Sequence, residues 1–327
     1  MNSDRCIKCG SCLRACPVLG DARGALFPGP RATGVDAPRF PERADAGPSA
    51  LMCTMCHACE LACPSSITLT KAMLRLRSEL KGQGPSGHLR MRENVMATGR
   101  TVSADFDEWV EEGNDILYFP GCIGLGRLAS MTRAASSLLK SLDIRHDISS
   151  RALCCGSPLL KVGALEEAAN VKRSNMEVLS AYRKVVVSCP GCAYQLRTEY
   201  GLEAKHMVEV LRDLPLRSRA EGRWALQMPC HLKRGLGPWT AEDLVGILER
   251  AGVELVRIPE EDVCCGGGGG LPSGFPELAA SMARSKVRAY ERAGVDGVIT
   301  ACPFCCLNLR REGLRVLDIS EAVSLNE

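Results

Sequence analysis

Val185-Val186-Val187-Ser188-Cys189-Pro190-Gly191-Cys192 carries a β-branched run straight into a Cys-x-x-Cys group. Gly297-Val298-Ile299-Thr300-Ala301-Cys302-Pro303-Phe304-Cys305 does the same 113 residues later. Short β-branched apolar runs bounded by turn residues read as buried strands. The match extends outward. Pro120-Gly121-Cys122 corresponds to Met228-Pro229-Cys230, and Cys154-Cys155-Gly156 to Cys264-Cys265-Gly266, at offsets of 108 and 110. The drift fits extra loop length in Gly266–Gly270 and the Pro272–Pro276 stretch. The C-terminal two thirds is therefore a repeat.

Each half alternates strand and helix. In the first, Ile116–Phe119 and Val185–Val187 are strands. Leu128, Met131, Ala135, Leu138, Leu139 and Leu142 fall at helical spacing, and Glu166–Tyr182 is a second helix. In the second, Trp224–Leu226, Leu255–Ile258 and Gly297–Ile299 are strands, with helices over Asp243–Ala251 and Glu277–Arg292. Such alternation predicts βαβ units and a mostly parallel sheet. Ligands bind such sheets at the carboxyl ends of the strands, where these cysteine groups fall, so they should converge in space.

The chain has 327 residues, 19 of them Cys. No run approaches the ~18 apolar residues of a membrane span. The polar N-terminus runs at once into Cys6, leaving no room for a signal peptide. The expectation is a cytoplasmic protein without direct membrane insertion, peripheral to a membrane only through a partner. Disulfides are rare in that compartment, and an odd count cannot pair fully. A net charge of +3 and 4% aromatic residues give no footprint for nucleic acid. The thiols therefore point to metal.

Cys6, Cys9, Cys12 and Cys16 precede Pro17; Cys53, Cys56, Cys59 and Cys63 precede Pro64. Both read C-x2-C-x2-C-x3-C-P, the run that binds two [4Fe–4S] cubanes with the fourth Cys crossing over. One cubane then takes Cys6, Cys9, Cys12 and Cys63, the other Cys53, Cys56, Cys59 and Cys16. Zinc favours separated C-x2-C pairs instead. His57, inside the second run, reads as a solvated loop residue. The Gly/Pro-rich stretch Leu19–Pro48, with Phe27-Pro28-Gly29-Pro30-Arg31 and Pro38-Arg39-Phe40-Pro41, should be mostly irregular. Thr70–Lys81 should be helical, and Gly82–Gly87 breaks the pattern.

The expected architecture is a small N-terminal α-helical ferredoxin-type dicluster domain (1–81), a linker (82–112), and a C-terminal α/β part with two βαβ-type cysteine-rich domains (113–222 and 223–327). Each repeat offers five thiolates: Cys122, Cys154, Cys155, Cys189 and Cys192, then Cys230, Cys264, Cys265, Cys302 and Cys305. A vicinal Cys-Cys pair makes a strained disulfide but can bridge two irons. A cubane with a spare Cys and an unusual five-thiolate cluster both fit the count. Cys306 remains as a buried bystander.

The arrangement resembles the heterodisulfide reductase family. In that family the two kinds of module occur either on separate subunits or fused in one chain. The N-terminal runs look like its ferredoxin-type subunit. The Cys … Cys-Cys-Gly … Cys-x-x-Cys repeats look like its cysteine-rich subunit, and this chain looks like the fused form. The gaps here are 31 and 33 residues, then 33 and 36; the last is slightly long. The chain is equally similar to the iron–sulfur subunits of glycolate oxidase, lactate-utilisation enzymes and anaerobic glycerol-3-phosphate dehydrogenase. The resemblance implies a noncubane [4Fe–4S] cluster on each set of five cysteines. All ten are present, which favours disulfide reduction, with Cys155 and Cys265 central to it.

Cleaving an S–S bond takes two electrons, so two one-electron clusters flanking it suit the task. Gly156, Gly266 and Gly267 are candidates to line a cluster. The Gly266–Gly270 run either brings backbone close to a cluster or is a flexible loop. His231, beside Cys230, is either a structural histidine or a proton donor to a product thiolate. No G-x-G-x-x-G fingerprint predicts flavin or NAD in the chain. A flavoprotein, hydrogenase or cytochrome b-type partner must then supply electrons, with a disulfide or thiol as substrate. The alternative is a relay component of a flavin-dependent glycolate, lactate or glycerol-3-phosphate dehydrogenase or a fumarate reductase.

Overall fold

Strand β1, Ile116–Phe119, pairs in parallel with β2, Lys184–Val187, which pairs in parallel with β3, Ala204–His206. In the second half β5, Arg223–Leu226, lies between β6, Glu254–Val256, and β7, Gly297–Thr300, and β7 carries β8, Val316–Asp318, on its outer edge; every pairing is parallel. These features come from a computed structural model that describes residues 2–40, 47–80, 84–103 and 106–326. The two sheets have the same order. Where β6 flanks β5, the first half has only a bridge from Leu117 to Asp147, with Asp147 N–H donating to Ile116 O at 2.9 Å.

The chemistry of the strands explains their burial. β2 is Lys-Val-Val-Val with all three valines buried, and β7 is buried along its whole length. Helices cover the faces, as parallel sheets require. The helix over 129–141 packs with Ala135, Leu138 and Leu139, and that over 238–250 with Leu244, Ile247 and Leu248. Both halves feed one core, in which Leu139, Leu179 and Val187 share a cluster with Trp224, Leu226 and Ile299. A short antiparallel pair, β4 (Leu216–Ser218) with β9 (Val323–Leu325), clasps the C-terminal segment to the stretch between the repeats.

The N-terminal region is helical, in short pieces. The 19–48 stretch is more regular than its composition suggests. Gly29–Arg39 forms one helical path with a π turn over Ala32–Asp36. Pro30 sits in its first turn, where a missing N–H costs nothing. Gly34 lies so close to Leu69 that a Cβ there would sit 2.6 Å from Leu69 Cδ2. Pro41 of the expected irregular segment lies outside the described residues. A helix spans Leu69–Glu79; Lys81, the expected end, and Gly82 also lie outside them. A further helix, Ser86–Thr98, occupies the 82–112 segment and ends at left-handed Gly99. Its Met91 and Val95 pack with Cys154, Leu159 and Val162, and Gly99 O accepts from Cys154 N–H at 2.8 Å.

Candidate metal centre

The two N-terminal runs fold alike. Lys8 and Met55, at the third position of each, both have φ of +57°, and Gly10 and His57, four residues from each run's start, have φ of +76° and +61°. Left-handed residues cost a non-glycine side chain ~1 kcal/mol or more. Here they curl the chain so that successive cysteines face one centre. Cys12 lies within electrostatic reach of Cys6, Cys9 and Cys63. Cys16 lies near Cys53 and Cys56, and Cys59 near Cys53, Cys56 and Cys16. The structure thus places the fourth cysteine of each run against the other run. Cys9 is exposed, and Cys6, Cys12 and Cys63 are half-buried, whereas Cys16, Cys56 and Cys59 are buried.

His57 departs from its expectation as a solvated residue. Its Nδ1 contacts Glu60 Oε2 at 2.7 Å, while Glu60 Oε1 accepts from Thr70 N–H and Oγ1 at 2.7 and 2.8 Å. Its ring lies 6.0 Å from Tyr194 and 5.6 Å from His231. Neighbours from both repeats cover it, which the local sequence gives no means of seeing.

The ten C-terminal cysteines all line one cavity of about 260 Å³. Local chemistry puts them there. Cys189 and Cys302 are the N-cap residues of helices Pro190–Thr198 and Pro303–Arg310, each with proline in its first turn, and Cys192 and Cys305 follow within that turn. The helix N-termini therefore open on the cavity, where their partial positive charge favours thiolates. Gly156 and Gly266 have φ of +80° and +82°, a turn after the vicinal pair that suits only glycine.

The sulfur contacts repeat. Cys192 Sγ is 3.4 Å from Cys155 Sγ, and Cys265 Sγ is 3.3 Å from Cys305 Sγ. Cys122 contacts Cys154, and Cys230 contacts Cys264. Hydrogen bonds from Cys154 and Cys192 hold the Cys155 thiol well below its ordinary pKa, and those from Cys264 and Cys305 do the same for Cys265. Backbone N–H groups of Ser157 and Gly267 add to this at the same two sulfurs. Two contacts join the sets: Cys189 meets Cys302, and Cys56 of the N-terminal array meets Cys264.

No carboxylate lines the cavity among the described residues; its charged walls are Arg127, Lys161 and Arg311. Packed thiols, inward N–H groups and the absence of acidic side chains fit a thiolate-ligated iron–sulfur group. Cys306 is fully buried with Leu309 and Tyr290 in an apolar cluster and does not line the cavity.

The premise for His231 as a proton donor, an ordinary imidazole pKa, does not hold here. Burial, then the charges of Lys161, His57 and Arg234, push its pKa well down. Lys161 Nζ donates to Nε2 at 3.3 Å, which directs the Nδ1 hydrogen to Cys230 Sγ at 3.4 Å.

The glycine run is packed against the second N-terminal run: a Cβ on Gly269 would fall 2.5 Å from Cys53 O, and one on Gly267 2.8 Å from Phe304 O. Gly269→Ala is accordingly expected to cost roughly 2–4 kcal/mol through clash and positive φ together. Chemical denaturation would measure it, and a loss under ~1 kcal/mol would contradict this packing.

Sequence reasoning missed Arg77, Lys161, Asn175, Lys286 and Asn308. Arg77 donates to Ala50, Cys53, Lys161 and Gly269 carbonyls. Asn175 holds Leu153 N–H and Cys154 O at 2.8 Å each, and Asn308 holds Cys265 O at 2.7 Å. The repeat itself carried a signal: Arg173-Ser174-Asn175 and Arg284-Ser285-Lys286 stand at matching places behind the two Cys-Cys-Gly groups.

The cysteine-rich domain family, CCG, matches residues 116–197 and 224–310. The 4Fe-4S dicluster domain family matches residues 2–67. The chain is 29% identical to the B subunit of the fumarate reductase (CoM/CoB) of Methanothermobacter marburgensis, over 98% of this chain and 71% of that protein. It is 28% identical to the D subunit of the dihydromethanophenazine:CoB–CoM heterodisulfide reductase of Methanosarcina barkeri, over 99% and 94%. It is also 28% identical to lactate utilization protein A of Geobacillus kaustophilus, over 59% and 91%.

Proposed function

Since the chain belongs to the CCG cysteine-rich domain family and joins two such domains to a 4Fe-4S dicluster domain, as an iron–sulfur electron-transfer subunit of oxidoreductase type, we propose that it reduces a disulfide in its ten-cysteine cavity. The observation that carries this reading is that all five cysteines of each repeat line the same cavity. Two electrons are needed at one place, and two thiolate sets side by side provide for that.

In this reading Cys6, Cys9, Cys12 and Cys63 hold one cubane, and Cys16, Cys53, Cys56 and Cys59 the other. Cys122, Cys154, Cys155, Cys189 and Cys192 hold a third, noncubane cluster, and Cys230, Cys264, Cys265, Cys302 and Cys305 a fourth. When bound, these groups would supply electrons one at a time. Contacts along the chain support an order. The exposure of Cys9 supports entry of electrons at that cubane from a flavoprotein, hydrogenase or cytochrome b-type partner. Cys56 against Cys264 leads to the second repeat, and Cys302 against Cys189 to the first. Gly267 and Ser157 N–H groups stabilise negative charge at Cys265 and Cys155. Lys161, an ammonium beside His231, is placed to neutralise a product thiolate, with His231 holding Cys230. No helix among the described residues is long and apolar enough to cross a membrane.

The test is reduction of a low-molecular-weight or protein disulfide by the anaerobic protein with reduced viologen as donor. The similarity to a fumarate reductase component and to lactate utilization protein A favours a second reading, a relay without substrate of its own. A wild type that reduces no disulfide yet restores dye reduction to a flavoprotein dehydrogenase decides for the relay.

Two further outcomes are expected. The protein isolated without oxygen should carry about sixteen iron atoms, four per cluster. About eight iron atoms, with the C-terminal cysteines open to alkylation, would leave the second array without clusters. Cys16→Ser should disturb the cubane of Cys53, Cys56 and Cys59, because Cys16 sits among them. Electron paramagnetic resonance would show which signal changes; a change confined to the cubane of Cys6, Cys9 and Cys12 refutes the crossed assignment.

A further inference from the structure

Lys286 lies on the helix Pro276–Arg292 and is 2% exposed. Its ammonium donates to Glu260 O and stands 4.9 Å from the Tyr290 ring centroid. No carboxylate pairs with it among the described residues; the Glu260 carboxylate pairs with Arg292 at 3.6 Å. Its helix neighbours Ala283, Val287 and Tyr290 share one apolar cluster with Cys265 and Cys305, and the sulfurs of those two cysteines lie within electrostatic reach of the ammonium, as do Glu260 and Cys264. An uncompensated buried cation is strongly destabilising. Thiols cannot balance it, whereas thiolates on an iron–sulfur group can.

The first repeat has no such charge at the matching position. Asn175 lies 19 residues beyond Gly156, and Lys286 lies 20 beyond Gly266, each preceded by Arg-Ser. Asn175 is fully buried too and faces its own vicinal pair, donating to Cys154 O and Tyr200 Oη. Both helices thus aim a polar side chain at their repeat's cysteines, one neutral and one cationic. In the second repeat Asn308, from the other helix, donates to Cys265 O, as Tyr200 Oη does to Cys155 O in the first.

We propose that Lys286 is the built-in counter-charge of the second repeat's cluster and holds it at a higher reduction potential than its counterpart in the first repeat. This rests on the cluster assignment above. A positive charge in a poorly screened interior favours the more negative, reduced state of a nearby cluster. The cluster it serves is the one next to Cys56, so electrons from the dicluster side collect there before passing to the first repeat. The two sites of a two-electron reaction are then unequal by construction, one filling first.

The test is a redox titration followed by electron paramagnetic resonance on the full chain. The signal to follow is the one that disappears in Cys265→Ser. Lys286→Met and Lys286→Gln should retain iron and lower that midpoint. At a fixed potential the reduced-to-oxidised ratio should fall at least about tenfold, equivalent to ~59 mV for one electron. The other midpoints should stay in place, and Lys286→Arg should keep the ratio within about threefold of wild type. Loss of this cluster in both neutral variants but not in Lys286→Arg would equally support the counter-charge. Full iron with an unmoved midpoint in the neutral variants overturns it, as does cluster loss in Lys286→Arg. A wild type with no signal from the second repeat overturns the cluster assignment itself, and is recognised by iron content before any variant is made.

Discussion

Cys155→Ala and Cys265→Ala, made separately, should each lower disulfide reduction by about a hundredfold or more, while the cubanes still accept electrons from viologen. The two residues are equivalents at the heart of their sets. Each sulfur touches the last cysteine of its Cys-x-x-Cys group, at 3.4 and 3.3 Å, and each receives a backbone N–H. Removing either leaves its set with four thiolates and no partner for that N–H. A two-electron cleavage shared between two sites fails when either is lost, so the effects should not add: the double variant should be no worse than each single one. The readouts are steady-state reduction of the disulfide and, separately, bleaching of the N-terminal clusters. If one variant remains fully active, the two sites do not act together, even if the activity is real.

The cysteine groups were legible in the sequence because metal ligation demands fixed spacings, and the parallel strands because both faces of β2 and β7 are buried and β-branched. Other elements left no such mark. β3 and β8 are three residues each, Ala-Lys-His and Val-Leu-Asp, on sheet edges where the middle position is only half-buried. The first repeat's counterpart of β6 is a single bridge at Asp147. The glycines and prolines of 28–38 signal a break in any local reading, yet here they start a helix and let it approach Leu69 closely. Buried charges are hidden for another reason. Arg77 and Lys286 are recognisable only through carbonyls and sulfurs contributed by distant segments. A lysine or arginine at helical spacing otherwise reads as solvated surface.

Arg77→Met should destabilise the protein by roughly 3–5 kcal/mol, the scale for stripping a buried ionic network of its charged partner. Arg77 is fully buried, and burial lowers its pKa only to about 10, so it stays charged at neutral pH. Its guanidinium donates to Ala50 O at 3.2 and 3.0 Å, to Cys53 O and Lys161 O at 2.6 Å each, and to Gly269 O at 3.1 Å. Those carbonyls belong to the second N-terminal run, to the first repeat and to the glycine run of the second. One planar fork therefore ties three parts of the chain together beside Cys53. Methionine fills much of the volume but leaves these buried carbonyls without that donor. Lysine keeps the charge but not the fork, so Arg77→Lys should recover only part of the loss. Thermal unfolding should show a fall on the order of 10 °C for Met, from ~2–4 °C per kcal/mol in a chain of about this size, and a smaller one for Lys. In preparations of Arg77→Met that retain iron, electrons should reach the N-terminal clusters normally but pass more slowly to the second repeat. A variant as stable as wild type, passing electrons at the wild-type rate, would show that the three segments are held by something other than this side chain.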